Sequence, residues 1–279
     1  MARFPEGDPP LVSVVMSSFR DKPEVLDRAI DSVLGQDHRQ LEVFVIFEPG
    51  DANGARVKAK YDDPRMVVIE SRERLGRCRA YNVGISKSKG RYVARMDSDD
   101  QCLPHRISAQ LAYFREHPEL AVVGSWVQLY DRDGKRCGER RFPTSHEAFI
   151  RHLPWVNPIC HPTVIWDVNK VGRDTLFDPG FNAACDDMEL WLRMVSLGHR
   201  FASMPEVLLN YTQPPGYSRN RQNWRYMFMA RAKHWRLILR HPRLILGLPV
   251  SAIFAVSPQF VIDQFTGRSR FSDRMRSIR

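Results

Sequence analysis

The stretch that decides the fold is LVSVVMSSFRDKPEVLDRAIDSVLGQDHRQLEVFVIF, residues 11–47. Residues 11–16 and 41–47 are short apolar runs rich in β-branched side chains, which are typical of buried strands. Between them, apolar residues recur at helical spacing over residues 25–34. A strand, a helix and a second strand in this order predict a parallel pair of strands joined by a right-handed crossover.

The alternation of strands and helices continues to residue 100. The pattern predicts a strand at 66–69, a helix at 77–86 and a strand at 91–96. Asp21 and Glu24 have the spacing of a capping box, so we expect the first helix to begin there. Ligands of such sheets bind at the carboxyl ends of the strands. Three of these ends carry polar residues, namely Ser17 with Ser18, Glu48, and the run from Asp97 to Asp100.

The second half of the chain is less regular. We expect a strand at 120–130 with a hairpin turn at 131–134, a strand at 159–166, a helix at 187–196 and a last strand at 207–211. No Gly-, Ser- or Pro-rich linker separates the halves. The sequence therefore predicts one α/β domain with a mixed, mostly parallel central sheet flanked by helices.

Composition and charge exclude several classes of protein. The chain has 279 residues, 43% of them hydrophobic, and five cysteines without zinc-ligand or disulfide spacing. No P-loop, dinucleotide-binding or hydrolase nucleophile motif is present. The first ten residues lack the pattern of a secretory signal, so we expect a cytoplasmic protein. The net charge is +10, and residues 219–279 hold thirteen Lys and Arg but only two acids, so a basic tail follows a nearly neutral body.

The basic tail contains an apolar run, LILGLPVSAIFAVSPQFVI, at residues 244–262. Its length suits a membrane span, but Pro249 and Pro258 argue against one straight helix. Arginines flank both ends, so we expect the tail to lie in an anionic membrane surface rather than on nucleic acid. The alternative is a pair of core helices in the soluble domain.

An acidic loop, MDSDD, follows the strand predicted at 91–96. Its carboxylates repel one another unless a cation or hydrogen bonds compensate. Hard divalent cations bind carboxylate oxygens and share their other sites with phosphate, so the loop suits a metal that neutralises a diphosphate leaving group. The alternative is that Asp100 caps a helix near Pro104 while Asp97 and Asp99 are solvated.

A second acidic cluster, CDDMELWLRM, lies at residues 185–194. Asp186 and Glu189 have capping-box spacing, which favours a structural role for both. Asp187 has no part in this capping box. It lies in the first helical turn, where it can face a substrate and act as a general base. His161 precedes Pro162 at a predicted strand and could contact a phosphate or the acceptor, but a lone histidine is more often structural.

Taken in order, these motifs resemble glycosyltransferase family 2. The matching segments, spread over residues 11–211, are VSVVMSSF (12–19), SVLGQ (32–36), LEVFVIFEPGD (41–51), LGRCRAYNVGI (75–85), RYVARMDSDD (91–100), NPICHPTVIW (157–166), CDDMELWLRM (185–194) and PEVLLNY (205–211). The resemblance implies a GT-A, Rossmann-like α/β fold and an inverting transfer from a nucleotide diphosphosugar with Mn²⁺ or Mg²⁺.

The resemblance also assigns roles to five residues. Ser18 lies at the donor-binding end of the first strand, and Glu48 stands where the family usually has an aspartate that recognises the base. Asp97 contacts the sugar-nucleotide, Asp99 binds the metal, and Asp187 is the catalytic base. The extra methylene of Glu48 remains compatible with uracil, so the expected donor is a UDP-sugar.

The sequence therefore predicts a GT-A domain at 1–218 and a membrane-associating tail at 219–279. Within the domain, residues 11–100 form the nucleotide-sugar half and 101–218 the acceptor half. The expected function is hexosyl transfer to a hydroxyl of a glycan or lipid-linked saccharide. The expected location is the cytoplasmic face of the cell membrane, as a peripheral or monotopic protein. The alternatives are a metal-dependent nucleotidyltransferase and an inactive binding module on a membrane surface.

Overall fold

A mixed sheet of nine strands forms the centre of the part of the chain that the computed structural model describes, residues 9–213 and 220–266. The strands are β1 (Val12–Ser18), β2 (Leu41–Phe47), β3 (Met66–Glu70), β4 (Tyr92–Asp97), β5 (Gln101–Cys102), β6 (Leu120–Tyr130), β7 (Arg136–Arg140), β8 (Ile165–Asp167) and β9 (Arg200–Thr212). The helices are α1 (Pro23–Leu34), α2 (Asn53–Lys60), α3 (Gly76–Lys87), α4 (Arg106–Glu116), α5 (His146–His152), α6 (Val168–Val171), α7 (Asp186–Ser196), α8 (Arg221–Lys233), α9 (Leu237–Arg240), α10 (Gly247–Val256) and α11 (Gln259–Thr266).

The strand order in the sheet is β3-β2-β1-β4-β8-β6-β9-β5, with β7 paired to β6. β1 is parallel to both β2 and β4, and β6 is parallel to β9, whereas β8 runs antiparallel between β4 and β6. The chain proceeds from β1 outward to β3 and then returns to place β4 on the other side of β1. The carboxyl ends of β1 and β4 therefore flank the point at which the strand order reverses, where α/β sheets bind ligands.

The period-two pattern of the strands sends alternate side chains to two hydrophobic cores, one on each face of the sheet. In β1, Val15 packs in one core, whereas Val14 and Met16 pack in the other. Helices α1 and α4 cover the second core, and α3, α7 and α8 cover the first. Gly84 of α3 permits a close approach to the sheet, because an added Cβ there would lie 2.5 Å from a methyl group of Val15.

The predicted strands and helices of residues 11–100 are confirmed, except for the start of α1. Lys22 is the N-cap residue and makes no side-chain capping bond, so the capping box predicted at Asp21 and Glu24 is wrong. Pro23 occupies the first helical position, where its fixed φ suits the helix and its missing N–H costs nothing. Asp21 instead accepts a hydrogen bond from Ser18 Oγ at 2.8 Å.

Two further predictions are corrected in the second half. Most of the strand predicted at 159–166 is absent, because Pro162 lies in a short 3₁₀ turn and only Ile165–Asp167 pairs in the sheet. The last strand is longer than the predicted 207–211, since β9 begins at Arg200. The register of its pairing with β6 shifts around Pro205, which has no N–H to donate to the neighbouring strand. Because of this proline, the sequence pattern predicts only the second half of the strand.

The helices after residue 220 pack against the rest of the described chain. Trp224 and Met227 of α8 are buried in the same core as α7. Glu189 of α7 is fully buried and accepts hydrogen bonds from Lys233 Nζ at 2.8 Å and His234 Nε2 at 3.0 Å. The predicted domain boundary at 218/219, like residues 1–8 and 267–279, lies outside the described residues.

The apolar run at 244–262 divides among the 3₁₀ turn Pro242–Leu246, α10 and α11. Leu244 and Ile262 are buried in the core next to α7, whereas Ile253 and Val256 are exposed. In the described part of the chain, we find no helix with both the length and the apolar content needed to cross a bilayer.

We predict that Trp224→Ala lowers the free energy of unfolding by about 3–5 kcal/mol, because it leaves a cavity where the indole packs against Phe254. The matched control is Trp235→Ala, since Trp235 is 53% exposed whereas Trp224 is 2% exposed. The control change should cost about 0.5 kcal/mol or less. Urea unfolding followed by circular dichroism measures both values, and equal losses for the two variants would contradict the packing of α8 described here.

Candidate functional site

Three neighbouring strands of the sheet end in polar residues at one edge. The register pairs Ser17 with Asp97 across β1 and β4, and Ser18 with Phe47 across β1 and β2. Glu48 follows Phe47 directly, so it also lies at this edge. A cleft of about 1920 Å³ opens there, and its lining includes all five residues singled out from the sequence: Ser18, Glu48, Asp97, Asp99 and Asp187.

Ser18 and Glu48 are both buried and both hold the local backbone in place. The Ser18 hydroxyl donates to Asp21, as described above, and thereby ties the end of β1 to the start of α1. The carboxylate of Glu48 accepts hydrogen bonds from the backbone N–H groups of Leu75 at 3.0 Å and Gly76 at 2.7 Å. Glu48 therefore anchors the first turn of α3 beside the cleft, and its expected role in recognising a base stays a prediction.

Asp97 is fixed by two side chains that the sequence analysis did not single out. Arg95 Nη1 lies 3.0 Å from Asp97 Oδ1, and the Tyr81 hydroxyl donates to the same oxygen at 3.1 Å. The guanidinium of Arg95 also stacks on the Tyr81 ring, 3.9 Å from its centroid. Arg95 is 2% exposed, so this ion pair orients Asp97 at the floor of the cleft. Both partners lie in motifs quoted for the resemblance, RYVAR and LGRCRAYN, which assigned them no role.

The acidic loop after β4 is braced by the end of β9. Asp100 Oδ1 accepts a hydrogen bond from the Thr212 N–H at 2.8 Å, and the Thr212 hydroxyl donates to the Asp99 carbonyl at 2.7 Å. The alternative role of Asp100 as a helix cap is therefore wrong, since α4 begins only at Arg106. No sequence signal marks Thr212, because its partners are more than a hundred residues away.

Asp99 has a perturbed carboxyl group. Burial raises its pKa to about 6, and the nearby carboxylates of Asp97 and Asp21 add to the increase. Burial also raises the pKa of Asp100, whose Oδ2 is enclosed without a hydrogen-bond partner. Carboxyl groups are thus crowded at this end of the cleft, and a bound cation would favour their ionised forms.

Asp187 lies in the first turn of α7, but the capping box proposed for that turn is wrong. The N-cap residue is Cys185, which has a left-handed backbone and makes no side-chain capping bond. Asp186 instead forms a two-point ion pair with Arg77, at 2.5 and 3.1 Å. Glu189 is held by Arg193 and by the α8 residues described above, and although burial opposes it, hydrogen bonds from His234, Lys233 and Arg193 lower its pKa to about 2.

The carboxylate of Asp187 is oriented by two donors. Oδ2 accepts a hydrogen bond from the Asn157 side-chain amide, and Oδ1 accepts one from the Met188 N–H at 2.7 Å. Burial raises the pKa of Asp187 to about 6, and the adjacent Asp186 adds to the increase. A carboxyl group with a raised pKa in a cleft is suited to accept a proton near neutral pH.

His161 lies beside Asp187 in an aromatic cage. Its Nδ1 is 3.8 Å from Asp187 Oδ2, and its ring packs against Tyr81, Phe177 and Trp191. Burial, together with the charges of Arg95 and Arg77, holds the pKa of His161 well below its ordinary value of 6.5, so the ring is neutral. The neutral ring packs as one wall of the cleft and adds no positive charge beside the Asp187 carboxylate.

Two comparisons of sequence bear on the family. Residues 13–166, more than half of the chain, match the model of "Glycosyl transferase family 2". The amylovoran biosynthesis glycosyltransferase AmsE of Erwinia amylovora is 29% identical over 220 residues, which cover 78% of this chain and 82% of AmsE. The O-antigen biosynthesis glycosyltransferase WbnJ of Escherichia coli is 31% identical over 206 residues, which cover 72% of this chain and 79% of WbnJ.

The fold is similar to that of S. aureus TarS. The crystal structure of TarS 1–349 in complex with UDP-GlcNAc superposes with a TM-score of 0.62 at 15% identity, covering 96% of this chain and 76% of that one. This chain spans only 39% of a longer TarS crystal structure. The similarity confirms the GT-A fold that the resemblance implied. The family match over more than half of the chain and the 31% identity with WbnJ lead to one conclusion: the chain belongs to glycosyltransferase family 2.

Proposed function

We propose that this glycosyltransferase moves a hexose from a UDP-sugar to a hydroxyl of a glycan or lipid-linked saccharide, with inversion at the anomeric carbon. The observation that carries the proposal is the convergence of three strand ends and the first turn of α7 on one cleft, where Asp99 and Asp187 have raised pKa values. TarS binds UDP-GlcNAc in its crystal structure, and AmsE and WbnJ are named for amylovoran and O-antigen biosynthesis. These names support a UDP donor and a role in polysaccharide biosynthesis.

The donor is proposed to lie across the ends of β1, β2 and β4. Its base would lie near Ser18 and Glu48, at the ends of β1 and β2, next to the strand-order reversal between β1 and β4. Its diphosphate would extend toward Asp97 and Asp99. The Arg77 guanidinium, 47% exposed and paired with Asp186, lies in the same wall of the cleft, where its N–H groups could also donate to a diphosphate.

A divalent cation, Mn²⁺ or Mg²⁺, fits the acidic end of the cleft. The described residues include no group of three or more His, Cys, Asp and Glu side chains that would hold a metal by themselves. Asp99 nevertheless supplies the hard oxygen ligand these ions prefer, and repulsion from Asp97 and Asp21 would be offset by a positive charge. A cation bound between Asp99 and the diphosphate would neutralise the charge of the leaving group.

Asp187 is the proposed general base. The Asn157 amide and the Met188 N–H fix its carboxylate, so proton transfer needs little rearrangement of the side chain. Its raised pKa makes it a stronger base than an exposed aspartate. As the acceptor oxygen attacks the anomeric carbon opposite the diphosphate, the hydroxyl proton passes to Asp187 and the bond to the diphosphate breaks. A single displacement of this kind inverts the anomeric centre.

Transfer is proposed to take place at the cytoplasmic face of the membrane, where a lipid-linked acceptor would be presented. The basic composition of residues 219–279 supports this location, because anionic lipids attract Lys and Arg. The attachment would be peripheral or monotopic.

Product analysis tests the reaction type. The protein is incubated with a panel of UDP-sugars, Mn²⁺ and a membrane glycolipid extract, and the products that form are identified. Release of UDP with a new glycosidic linkage supports the proposal. Release of pyrophosphate would instead indicate nucleotidyl transfer, and no release at all would indicate an inactive binding module.

We predict that Asp99→Asn weakens UDP binding in the presence of Mn²⁺ by about tenfold or more, because the diphosphate loses part of its charge neutralisation. Isothermal titration calorimetry with UDP, with and without Mn²⁺, measures the effect. Asp62→Asn is the control, since Asp62 is exposed on the surface. Equal affinities for the wild type and Asp99→Asn would remove Asp99 from the metal site.

We predict that Asp187→Asn lowers kcat by about a hundredfold or more while UDP affinity is retained, because a positioned base contributes this much. At saturating UDP-sugar and Mn²⁺, the wild-type kcat should fall below pH 6 or so, since a pKa raised to about 6 protonates the base as the pH decreases. The residual kcat of the variant should lose this dependence. Loss of UDP binding together with turnover would instead indicate that Asp187 supports the fold of α7.

A further inference from the structure

The described C-terminal segment folds back on itself as an antiparallel helical hairpin. Near one end of α8, Arg231 Nη1 donates to the Gly247 carbonyl at the start of α10, at 3.1 Å. Near the other end, Arg221 Nε donates to the Ser257 carbonyl at 3.2 Å. Between these contacts, the rings of Trp224 and Phe254 lie 4.8 Å apart. The two helices therefore run side by side in opposite directions.

The inner face of this hairpin is fixed to the helix that carries the proposed base. Trp224, Met227 and Ala230 pack in the core beside α7. Lys233 and His234 bind the buried carboxylate of Glu189, two residues after Asp187. Contacts of this kind give the hairpin a defined orientation relative to the cleft.

The outer face of the hairpin is apolar to an unusual degree. Nine of the thirteen large hydrophobic residues that are exposed in the described chain lie between residues 228 and 260. They are Phe228, Met229, Trp235, Leu239, Ile245, Leu246, Ile253, Val256 and Phe260. Leu239 and Val256 are the most exposed, at 73% and 77%. Scattered apolar residues are normal on a surface, but such a concentration in one segment marks an interaction site.

Arginines are interleaved with these apolar residues. Four exposed arginines lie among them: Arg225 in α8, Arg240 in α9, and Arg236 and Arg243 in the turns on either side of α9. Each lies within four residues in sequence of an exposed apolar side chain. Residues 220–266 contain seven Lys and Arg and a single acidic residue, Asp263. A surface that alternates exposed apolar and basic side chains is typical of helices that lie in the interface of a bilayer.

We propose that the outer face of the α8–α10 hairpin, with α9 and α11, docks on an anionic lipid bilayer. The apolar side chains enter the boundary between headgroups and acyl chains, and the arginines contact lipid phosphates. A second copy of the chain fits less well, because a symmetric contact through this face would bring arginines against arginines. Since the hairpin is fixed to α7, docking also sets the orientation of the Asp187 cleft relative to the lipid.

This inference rests on the proposed location at a membrane but not on the donor, metal or base assignments. The test is sedimentation of the full chain with vesicles of phosphatidylcholine alone or with about a third phosphatidylglycerol, a composition that supplies the anionic surface potential the arginines require. We expect the wild type to sediment with the anionic vesicles. Higher salt should weaken binding without abolishing it, because only the electrostatic part is screened.

The decisive variants are Val256→Glu, in the proposed surface, and Val67→Glu, a matched change on the exposed edge strand β3. Val256→Glu should reduce the vesicle-bound fraction strongly, whereas Val67→Glu should leave it unchanged. Arg236→Gln and Arg243→Gln should each lower the partition coefficient about fivefold, the equivalent of about 1 kcal/mol per basic residue. Circular dichroism of each variant ensures that a loss of binding is not a loss of folding.

Three outcomes would overturn the proposal. Equal losses for Val256→Glu and Val67→Glu would show that the hairpin face is not the binding surface. A chain ending at residue 266 that no longer binds vesicles at all would assign binding to the last thirteen residues. If the wild type does not bind vesicles but forms dimers that Val256→Glu dissociates, the hairpin face binds a second copy of the chain rather than a membrane. Titration of the same samples with UDP and Mn²⁺ separates failure of docking from failure of the proposed chemistry.

Discussion

The parallel pairing of β1 with both β2 and β4 is the constraint on which the rest of the structure depends. Because Ser17 lies opposite Asp97 and Ser18 opposite Phe47, three strand ends are held at one edge of the sheet. The backbone hydrogen bonds of these strands are satisfied within the sheet, so the polar residues that follow them have fixed positions. Helix α7 then adds Asp187 to the same cleft, from a position 90 residues after Asp97 in the sequence.

Charge in the cleft is distributed unevenly. Arg95 pairs with Asp97, and Arg77 pairs with Asp186, so two carboxylates are neutralised by arginines within ion-pair distance. Burial raises the pKa of Asp99, of its neighbour Asp100 and of Asp187. Groups perturbed in this way cluster at functional sites. Two of these three carboxyls, Asp99 and Asp187, are the ones to which the resemblance assigned the metal and the proton, whereas Asp100 is held by the Thr212 N–H.

Local sequence patterns were sufficient to predict β1–β4, α1, α3 and α7, since apolar periodicity reports which face of a strand or helix is buried. They failed where a distant partner decides the role of a residue. The spacing of Asp186 and Glu189 suggested a cap, but their partners Arg77 and Lys233 lie 109 and 44 residues away in sequence. Asn157 and Thr212 were missed for the same reason. Within residues 244–262, the pattern indicated apolar content but not that Leu244 faces the core while Val256 faces outward.

The central claim is that the edge formed by β1, β2 and β4 binds a nucleotide diphosphate with a cation beside Asp99. A crystal structure of the full chain grown with UDP and Mn²⁺ tests this claim most directly. The account predicts a uracil ring next to Ser18 and Glu48 and a metal peak shared by the Asp99 carboxylate and the diphosphate. Nucleotide bound elsewhere in the cleft, or a metal peak without contact to Asp99, would contradict it.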